Sequence, residues 1–483
     1  MQFFVIQRIL GILLMMFSFT MVPPIAVSII YLDGSFEPFF NTFAVTLISG
    51  IVAWLPVKNA KSDLRLRDGF LIVVLFWTVL ATFGAIPFIL SQHDISITDA
   101  IFESLSGLTT TGATVIVGLD ALPESILYYR QQLQWLGGMG IIVLAVAIMP
   151  LLGIGGMQLY KAETPGPMKD SKLTPRITET AKALWYIYVS LTIACAFAYW
   201  FAGMTAFDAI GHSFSTIAIG GFSTHDASMG FFNETPMVEV VAIIFMLLSG
   251  INFSLHFLSW RSRSLKAYLV DSEFKTYITL LMGISLISAV YLFYTNHFIE
   301  PEQALLHGIF QAVSIGTTTG FTTYEYFNWP GFLPVLLLFT SFIGACAGST
   351  GGGMKMIRFL LLLKQGMREV KRLIHPNAVF VIKVGGKPLS DRIIQAVWGF
   401  FSAYVAAFII ILLALMATGL DQISAFSATA ASMNNLGPGL NEVGLNYAGV
   451  SDAGKWILCF AMLLGRLEIF TLLVLFTPAF WRR

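Results

Sequence analysis

Four stretches of the sequence end in glycine and align with one another without gaps. They are DAIFESLSGLTTTG (Asp99–Gly112), DAIGHSFSTIAIGG (Asp208–Gly221), HGIFQAVSIGTTTG (His307–Gly320) and SAFSATAASMNNLG (Ser424–Gly437). Serine holds the eighth position in the first three, and Ala431 holds it in the fourth. Threonine offers a hydroxyl and a carbonyl on the same face, and a cluster of backbone oxygens can replace the water shell of a monovalent cation. The pattern therefore favours cation coordination.

The residues at the ends of the stretches restrict the kind of cation. Glycine lets the backbone turn with few steric limits and present its carbonyl. A ring of carboxylates would be expected for a divalent cation, but every ending position is glycine: Gly112, Gly221, Gly320 and Gly437. We therefore expect a K⁺-sized ion rather than Ca²⁺, whereas these residues do not separate K⁺ from Na⁺, Rb⁺ or Cs⁺.

The composition indicates that these stretches belong to a membrane protein. Of 483 residues, 56% are hydrophobic and only 11% are charged, whereas soluble proteins have about 25% charged residues. Segments such as Gly69–Leu90 reach the roughly 20 residues that a helix needs to cross a bilayer. Cys195, Cys346 and Cys459 stand alone in apolar segments, so no disulfide framework or metal site is expected. We expect an all-α polytopic membrane protein.

Basic residues are distributed unevenly along the chain. Lys and Arg cluster in residues 58–67, 161–182, 261–275, 364–392 and 482–483. The segments between the clusters that must lie on the other side carry only Arg130 and Lys455. The positive-inside rule places the clusters, and both termini, in the cytoplasm.

The glycine-ended stretches require a particular arrangement of helices. Each lies between two apolar spans and is too short and polar to be a full crossing. Backbone that is not helical cannot face lipid, because its N–H and C=O groups would be unpaired. Four such segments around one axis form a pore, toward which each short helix directs its negative carbonyl end.

This arrangement predicts ten spanning segments and four re-entrant ones. Residues 1–68 supply two N-terminal transmembrane helices. Four pore modules of helix, re-entrant helix and helix (M1–P–M2) follow, related by pseudo-symmetry, in residues 69–165, 166–265, 266–375 and 376–483.

A glycine-rich segment interrupts the returning helix of the third module. Residues 344–353 read GACAGSTGGG, and the apolar halves on either side are each too short to span. A phosphate-binding loop is not expected, because the Gly-Lys-Ser/Thr ending and a preceding strand are missing. Broken helices are tolerated at membrane depth only where they line a cavity. We therefore expect a flexible intramembrane loop just below the four stretches.

Arg466 lies deep in the last predicted span. An isolated arginine there costs roughly 2.5–3.5 kcal/mol on insertion scales, so it should face the pore interior and have partners. Glu468 is two residues on, about 200° around a helix, and is a poor direct partner. Two roles stay open: a structural pair with another carboxylate, or a positive charge that blocks cation flow while the loop is closed.

Polar side chains recur inside the short helices. The fifth position of the aligned stretches is Glu103, His212, Gln311 and Ala428. Buried polar groups need partners, so the first three are candidates for bracing the backbone, although His212 alone is simply explained as a hydrogen-bonded interior histidine. Asp99 and Asp208 suit the positive starts of their helices, and attraction of cations is the alternative.

Several long strings resemble the TrkH/TrkG branch of the Trk/Ktr/HKT superfamily of potassium transporters. They are GFLIVVLFWTVL, QWLGGMGIIVLAVAI, IAIGGFSTHDAS, GACAGSTGGG, NNLGPGL and GRLEIFTLLVLFTP, and the resemblance runs from end to end. It implies a gated, channel-like pore for K⁺ uptake across the bacterial inner membrane. One glycine per module implies looser discrimination among alkali cations than in the classical potassium channels. K⁺ is the transported ion, and no organic cofactor is expected in this chain.

The resemblance also implies roles for particular residues. A selectivity filter that holds K⁺ by backbone carbonyls would consist of Thr110, Thr111, Gly112, Ile219, Gly220, Gly221, Thr318, Thr319, Gly320, Asn435, Leu436 and Gly437. The gate would consist of Gly344, Gly348, Ser349, Thr350, Gly351, Gly352, Gly353 and Arg466.

Partners are implied in the same way. The resemblance implies a homodimer with two separate pores and a cytosolic ring of nucleotide-binding, RCK-type (TrkA-like) regulatory subunits docked on the basic loops. The chain itself has no nucleotide-binding fingerprint. Membrane lipid is the remaining expected partner, and nucleic acid is not expected.

A carrier that couples K⁺ to H⁺ or Na⁺ is the alternative function. Such carriers usually show inverted repeats and a carboxylate at the midplane of the membrane. Here two spans separate successive repeats, so all four share one orientation. An enzyme is not expected, because the spans contain no metal-binding cluster and no pair of nucleophile and base.

Overall fold

The computed structural model describes residues 1–60, 65–91, 95–140 and 177–482. The boundary predicted between the first two modules, at residues 165 and 166, lies outside these ranges. Within them the chain is mostly helical, and its strands form a two-stranded antiparallel ribbon of β1 (Lys383–Val384) and β2 (Lys387–Pro388). Gly385 and Gly386 join the strands with φ of 56° and 77°, as a two-residue turn with positive φ requires.

The helices are numbered here in chain order. The first eleven are α1 (Phe3–Ser18), α2 (Val22–Tyr31), α3 (Phe36–Trp54), α4 (Leu66–Gly84), α5 (Ile86–Ser91), α6 (Ile97–Leu108), α7 (Glu124–Trp135), α8 (Ile177–Phe201), α9 (Ala206–Ala218), α10 (Pro236–Ser249) and α11 (Phe253–Ser262). The others are α12 (Lys266–Val270), α13 (Ser272–Tyr294), α14 (Pro301–Thr317), α15 (Leu333–Ile343), α16 (Met356–Ile374), α17 (Asp391–Ala417), α18 (Gln422–Met433), α19 (Asp452–Arg466), α20 (Ile469–Leu473) and α21 (Pro478–Trp481).

Several of these helices are long and apolar enough to cross a membrane. In the part of the chain that the structure describes, six segments meet that requirement: Phe3–Tyr31, Phe36–Val57, Arg67–Ser91, Lys182–Phe201, Ser272–Tyr294 and Asp391–Ala417. Two further apolar segments are sharply bent, by 91° between α10 and α11 and by 115° between α19 and the segment that starts with α20. The chain is thus a mostly helical polytopic protein, as predicted.

The predicted count of ten spans stays a prediction. Counting each bent pair as one span gives eight within the described residues. Of the other two predicted spans, one consists of α15 and α16, which are separated by residues 344–355. The other begins with α7 and continues beyond residue 140, outside the described residues.

The two N-terminal segments pack closely through glycine. A Cβ atom added to Gly11 of α1 would lie 2.9 Å from the carbonyl oxygen of Gly50 in α3, and one added to Gly50 would lie 2.9 Å from that of Gly11. Small residues that let two backbones approach are typical of helix contacts in membranes. The pair is therefore a tightly packed unit.

Four short helices are enclosed by the longer ones. α6, α9, α14 and α18 have 12, 13, 17 and 12 residues, about 18 to 26 Å at 1.5 Å per residue, which is less than a hydrocarbon core of about 30 Å. The side chains of Ser96, Thr205 and Asp421 cap three of them by accepting backbone N–H groups, and Pro301 opens the fourth.

The packing of these short helices closes a circle. Each contacts the spanning helix before it, in the pairs α4 with α6, α8 with α9, α13 with α14 and α17 with α18. Each also contacts a helix that follows a different short helix, in the pairs α7 with α9, α10 with α14, α15 with α18 and α19 with α6. The last of these pairs joins the end of the chain to its first short helix.

Candidate cation-binding site

The last residues of all four predicted filter segments share one backbone conformation. The residue two places before each ending glycine has positive φ: 55° at Thr110, 55° at Ile219, 70° at Thr318 and 51° at Asn435. The ending glycines follow at 81°, 79°, 82° and 94° in the same order. Positive φ is uncommon outside glycine, and such strained backbone is concentrated at functional sites. The divergent Asn435 copy therefore has the same geometry as the threonine copies.

A repeated hydrogen bond ends each short helix. The residue before the ending glycine donates its N–H to the carbonyl of the eighth aligned residue, over 2.8 to 2.9 Å. The donor and acceptor pairs are Thr111 and Ser106, Gly220 and Ser215, Thr319 and Ser314, and Leu436 and Ala431. Because the acceptor is a backbone carbonyl, alanine serves there as well as serine. The spacing is five residues instead of four, so the turn leaves the helical pattern.

The ending glycines join the four segments into a closed ring. Each glycine lies so near a carbonyl oxygen of the following segment that an added Cβ atom would collide with it. The glycine and carbonyl pairs are Gly112 with Gly220, Gly221 with Thr319, Gly320 with Leu436, and Gly437 with Thr111. The last pair returns to the first segment and is the loosest, at 2.8 Å. The structure thus brings all four predicted filter segments side by side.

Side-chain hydroxyls in the ring are engaged with neighbouring side chains. The Thr111 hydroxyl contacts that of Thr109 at 2.8 Å, and the Thr319 hydroxyl contacts that of Thr317 at 2.7 Å. Asn435 Nδ2 donates to Thr111 Oγ1 over 2.9 Å. These contacts brace the first and third segments internally and join the first segment to the fourth, so the carbonyl oxygens are the groups suited to hold a cation.

Two of the predicted carbonyl ligands accept hydrogen bonds from side chains. Gln134 Nε2 donates to the carbonyl of Gly220 over 2.6 Å, and the Tyr447 hydroxyl donates to that of Gly437 over 2.8 Å. Gln134 Oε1 also accepts the N–H of Phe222 at 3.0 Å. A carbonyl oxygen has two lone pairs, so each of these two carbonyls keeps one for an ion while its orientation is fixed.

A buried ion pair lies behind the first segment. The carboxylate of Glu103 and the guanidinium of Arg130 are 2.8 Å apart, and both residues are buried. Arg130 also donates to the carbonyl of Ser223 over 3.0 Å, and its guanidinium lies 4.3 Å from the ring centroid of Phe222. The pair therefore connects the first short helix to the residues directly after the second filter segment.

Other fifth-position residues also contact backbone or side chains just beyond a filter glycine. His212 Nε2 is 2.9 Å from the hydroxyl of Ser223, and Gln311 Nε2 donates to the carbonyl of Phe321 over 3.5 Å. Ala428 occupies the equivalent place in the fourth segment and is buried. Glu103 likewise accepts the N–H of Val115 over 3.0 Å, so the polar residues at this position contact the exits of three segments.

Loops after the first two filter segments meet in a cluster of charged side chains. His225 Nδ1 is 2.6 Å from Asp120 Oδ1, and His225 Nε2 is 3.5 Å from Asp208 Oδ1. The imidazole also stacks on Phe231, with 3.5 Å between ring centroids. Burial disfavours the charged imidazole, but hydrogen bonds to Asp208 and Asp120 outweigh this effect and raise the pKa of His225.

The predicted gate loop lies against the ends of the short helices. Thr350 Oγ1 donates to the carbonyl of Ile217 over 2.9 Å. The N–H of Gly352 donates to Thr318 Oγ1 over 2.7 Å, and the N–H of Gly353 donates to the carbonyl of Asn434 over 3.0 Å. Positive φ occurs at Gly344 (67°), Gly348 (76°) and Gly353 (71°). The loop is therefore attached to the second, third and fourth short helices or their turns.

Further contacts hold the loop from the side. The N–H of Cys346 donates to the carbonyl of Gly250 over 3.0 Å, and the N–H of Phe253 donates to that of Gly348 over 3.0 Å. These bonds use backbone groups at the bend between α10 and α11. Within the loop, Ser349 Oγ donates to the carbonyl of Cys346 over 2.6 Å, and Lys355 Nζ donates to the carbonyl of Gly351.

Arg466 connects the loop to the first filter segment. One guanidinium nitrogen donates to Thr110 Oγ1 over 3.0 Å and to the carbonyl of Thr350 over 3.2 Å. The other nitrogen donates to the carbonyls of Gly137 and Gly138 over 2.6 and 2.8 Å. Glu468 instead pairs with Arg358 at 2.8 Å. A positive charge thus lies between filter and loop, with hydroxyl and carbonyl oxygens around it.

Sequence reasoning did not assign roles to Gln134 or Tyr447, but it did contain a signal for two other residues. Arg130 and Lys455 were the exceptions to the uneven distribution of basic residues. Both are buried and pair with carboxylates of the first short helix, Arg130 with Glu103 and Lys455 with Asp99, the latter at 2.6 Å. An isolated basic residue in an otherwise uncharged segment was therefore a sign of an internal ion pair.

Fold and site together define a polytopic membrane protein of the cation-transport class. The family described as TrkH, cation transport protein, matches residues 36–483. The chain belongs to this family.

Relatives are similar over their full length. The chain is 60% identical over 485 residues to the Trk system potassium uptake protein TrkH of Vibrio parahaemolyticus, with 100% of both chains covered. It is 58% identical to TrkH of Escherichia coli K12, again over 100% of both, and 42% identical to TrkG of the same strain over 99% of this chain and 98% of that one. The crystal structure of the potassium transporter TrkH from Vibrio parahaemolyticus superposes with a TM-score of 0.91 at 58% identity, covering 100% of both chains.

Proposed function

We propose that this chain forms a gated, channel-like pore through which K⁺ is taken up across the bacterial inner membrane. The observation that carries this proposal is the closed ring of four filter turns, in which each glycine abuts a carbonyl of the next segment. The ring positions offer carbonyls and hydroxyls without a carboxylate, which suits a monovalent cation. The names of the relatives, potassium uptake proteins of the Trk system, support K⁺ as that cation.

The four predicted modules are the units of this pore. The division into four modules, in residues 69–165, 166–265, 266–375 and 376–483, is supported by the repeated turn geometry and by the circle of helix contacts. Residues 1–68 then lie outside the pore. The basic clusters favour a cytoplasmic position for both termini, and the basic loops offer a docking face for a nucleotide-binding, RCK-type partner. A homodimer of the chain completes the proposal.

The glycine-rich loop and Arg466 form the gate of the proposed pore. Arg466 puts a guanidinium against a filter hydroxyl and a loop carbonyl, where it repels a passing cation. Loop movement would remove the carbonyl partner and free the path. The loop is rich in glycine because its backbone requires several positive φ angles and close contacts, as at Gly352 beside the carbonyl of Asn434.

Deletion of residues 348–353 tests the gate directly. We expect the purified variant to leak K⁺ or Rb⁺ in proteoliposomes without any partner, by on the order of ten-fold over the parent chain. Replacement of the same residues by an equally long Ala-Ser linker is the control for chain length. A basal flux equal to that of the parent protein would contradict a gate at this loop.

Single-channel recording of the purified chain in planar bilayers tests the function itself. A pore gives discrete current steps with on the order of thousands of ions per opening, whereas a K⁺/H⁺ or K⁺/Na⁺ symporter moves ions in a fixed ratio per cycle. We expect such steps in K⁺, and their absence with a large organic cation on both sides is the control. Transport that stops when H⁺ or Na⁺ gradients are removed, with no unitary steps, would favour the carrier.

A further inference from the structure

Glu273 is a buried carboxylate that sequence reasoning did not single out. It is the second residue of α13, and its residue surface is 8% exposed. Its Oε1 accepts two backbone hydrogen bonds, from the N–H of Ala347 over 2.7 Å and from the N–H of Ile357 over 3.0 Å. One side-chain oxygen is therefore the acceptor for two backbone donors.

These two donors lie on either side of the moving part of the loop. Ala347 precedes Gly348, and Ile357 is the second residue of α16, just after Lys355 with its φ of 77°. One oxygen of Glu273 therefore joins the beginning of the loop to its end. On its other side, the middle of the loop is hydrogen-bonded to the ends of the short helices and their filter turns. The donors are Thr350, Gly352 and Gly353. The closed loop is thus fixed at both ends by one side chain.

We propose that Glu273 is a positioning residue that holds the loop in its closed conformation. The proposal rests on the gate described above and adds the residue that sets its resting state. Movement of the loop away from the filter changes the separation of its two ends, so the two hydrogen bonds cannot both persist. Their energy therefore favours the closed state, and their loss shifts the population toward the open state.

The position of Glu273 also connects the gate to the predicted cytoplasmic face. α13 directly follows α12, and the basic cluster of residues 261–275 runs from the end of α11 into the first turn of α13. Tyr268 of α12 is hydrogen-bonded to His256 of α11 at 2.7 Å, and its ring lies 5.4 Å from that of Phe274 in α13, so α12 is attached to both flanking helices. A displacement of residues 261–270 by a docked protein would be passed to the first turn of α13 and from there to both ends of the loop.

Replacement of Glu273 separates this role from simple helix stabilisation. Glu273→Ala removes both hydrogen bonds, whereas Glu273→Gln keeps an amide oxygen that can accept both, because both donors share Oε1. Glu37 is a matched control, since it is also the second residue of a spanning helix, α3, and it is exposed. Loss of a favourable helix-dipole interaction is common to Glu273→Gln, Glu273→Ala and Glu37→Ala.

Partner-free Rb⁺ flux into proteoliposomes is the measurement. We expect Glu273→Ala to raise basal flux roughly ten-fold or more, because it removes two buried hydrogen bonds. Glu273→Gln, which keeps both acceptor contacts, and Glu37→Ala should stay near the parent value. Glu273→Ala combined with deletion of residues 348–353 should leak no more than the deletion alone, because both act through the loop.

The outcomes are distinguishable. If the deletion leaks while Glu273→Ala does not, the gate stands and the role of Glu273 is wrong. If the deletion leaves flux unchanged, the proposed gate fails and Glu273 loses its role with it. A leak in the combined variant that equals the product of the two single increases would show that Glu273 acts elsewhere.

Glu273→Asp, which withdraws the carboxylate by one methylene, is the second variant if Glu273→Ala does not yield a monodisperse protein. We expect it to give an intermediate leak, and parent-like flux would overturn the proposal.

Discussion

The ending glycines of the filter are not equivalent, and the difference between them is measurable. An alanine Cβ atom at Gly112, Gly221 or Gly320 would collide severely with a carbonyl oxygen of the next segment, whereas the clash at Gly437 is milder, at 2.8 Å. A side chain at positive φ costs a further energy of about 1–2 kcal/mol. We expect alanine at the first three positions to lower K⁺ flux by at least about ten-fold and to weaken discrimination against Na⁺, with a smaller loss for Gly437→Ala.

Rb⁺ uptake with and without competing Na⁺ measures this series. Gly419→Ala, at a positive-φ glycine with open space around it, is the control for backbone strain alone. A Gly437→Ala variant that is the most damaged of the four would contradict the ring. It would also mean that the most divergent segment, with Asn435 and Leu436 in place of threonines, contributes more than the others.

Arg466 is a residue whose removal should increase activity. Its guanidinium joins Thr110 of the filter to Thr350 of the loop, so Arg466→Ala removes both the positive charge in the path and a bond that holds the loop. We expect basal flux to rise on the order of ten-fold. Arg466→Lys keeps the charge and should stay close to the parent protein. A lower flux from Arg466→Ala, with protein yield unchanged, would assign Arg466 a structural role instead.

At the scale of elements, the Glu103–Arg130 ion pair joins α6 to α7 within the first predicted module, and Arg130 also reaches the second module through the carbonyl of Ser223. Removal of one member leaves the other charge buried, which typically costs about 3–5 kcal/mol. We therefore expect Arg130→Met to lower the Tm of the detergent-purified protein strongly. The double replacement of Glu103→Gln with Arg130→Met should restore part of the loss. Arg261→Ala, at an exposed basic residue, is the control. Additive losses in the double variant would show that the two side chains are not coupled.

The sequence predicted the short helices better than the bends of the spanning ones. Glycine endings and polar fifth positions repeat every hundred residues or so, and both follow from local backbone geometry. The 91° bend between α10 and α11 was not predicted. Its free backbone groups at Gly250 and Phe253 are satisfied by Cys346 and Gly348, and a partner so distant in sequence leaves no local pattern. The same reason hid Glu273, Gln134 and Tyr447.

At the scale of the whole molecule, the circle of contacts from α6 back to α19 depends on order along the chain. Each returning helix packs on the next short helix, and the last packs on the first. Repeats in one orientation produce such a closed circle around a central path, whereas inverted repeats typically place two halves across an interface that rocks. The arrangement therefore supports the proposed pore formed by four similar walls, with the proposed gate at the loop of the third module.

His225 contacts Asp120 and Asp208, and this cluster, called the clasp below, joins the loops after the first two filter segments. Because one member is a histidine, the clasp makes the stability of the fold depend on pH. The pKa of His225 is raised in the folded protein, above an unfolded value of about 6.5. Its stabilisation is therefore fully present below about pH 6.5 and is lost as the pH rises through the folded pKa. We expect Tm to fall over this range more in the parent protein than in His225→Gln. His297→Gln, at an exposed histidine, should keep the parent profile. Parallel profiles for His225→Gln and the parent protein would mean that the clasp is not charged when it stabilises the fold.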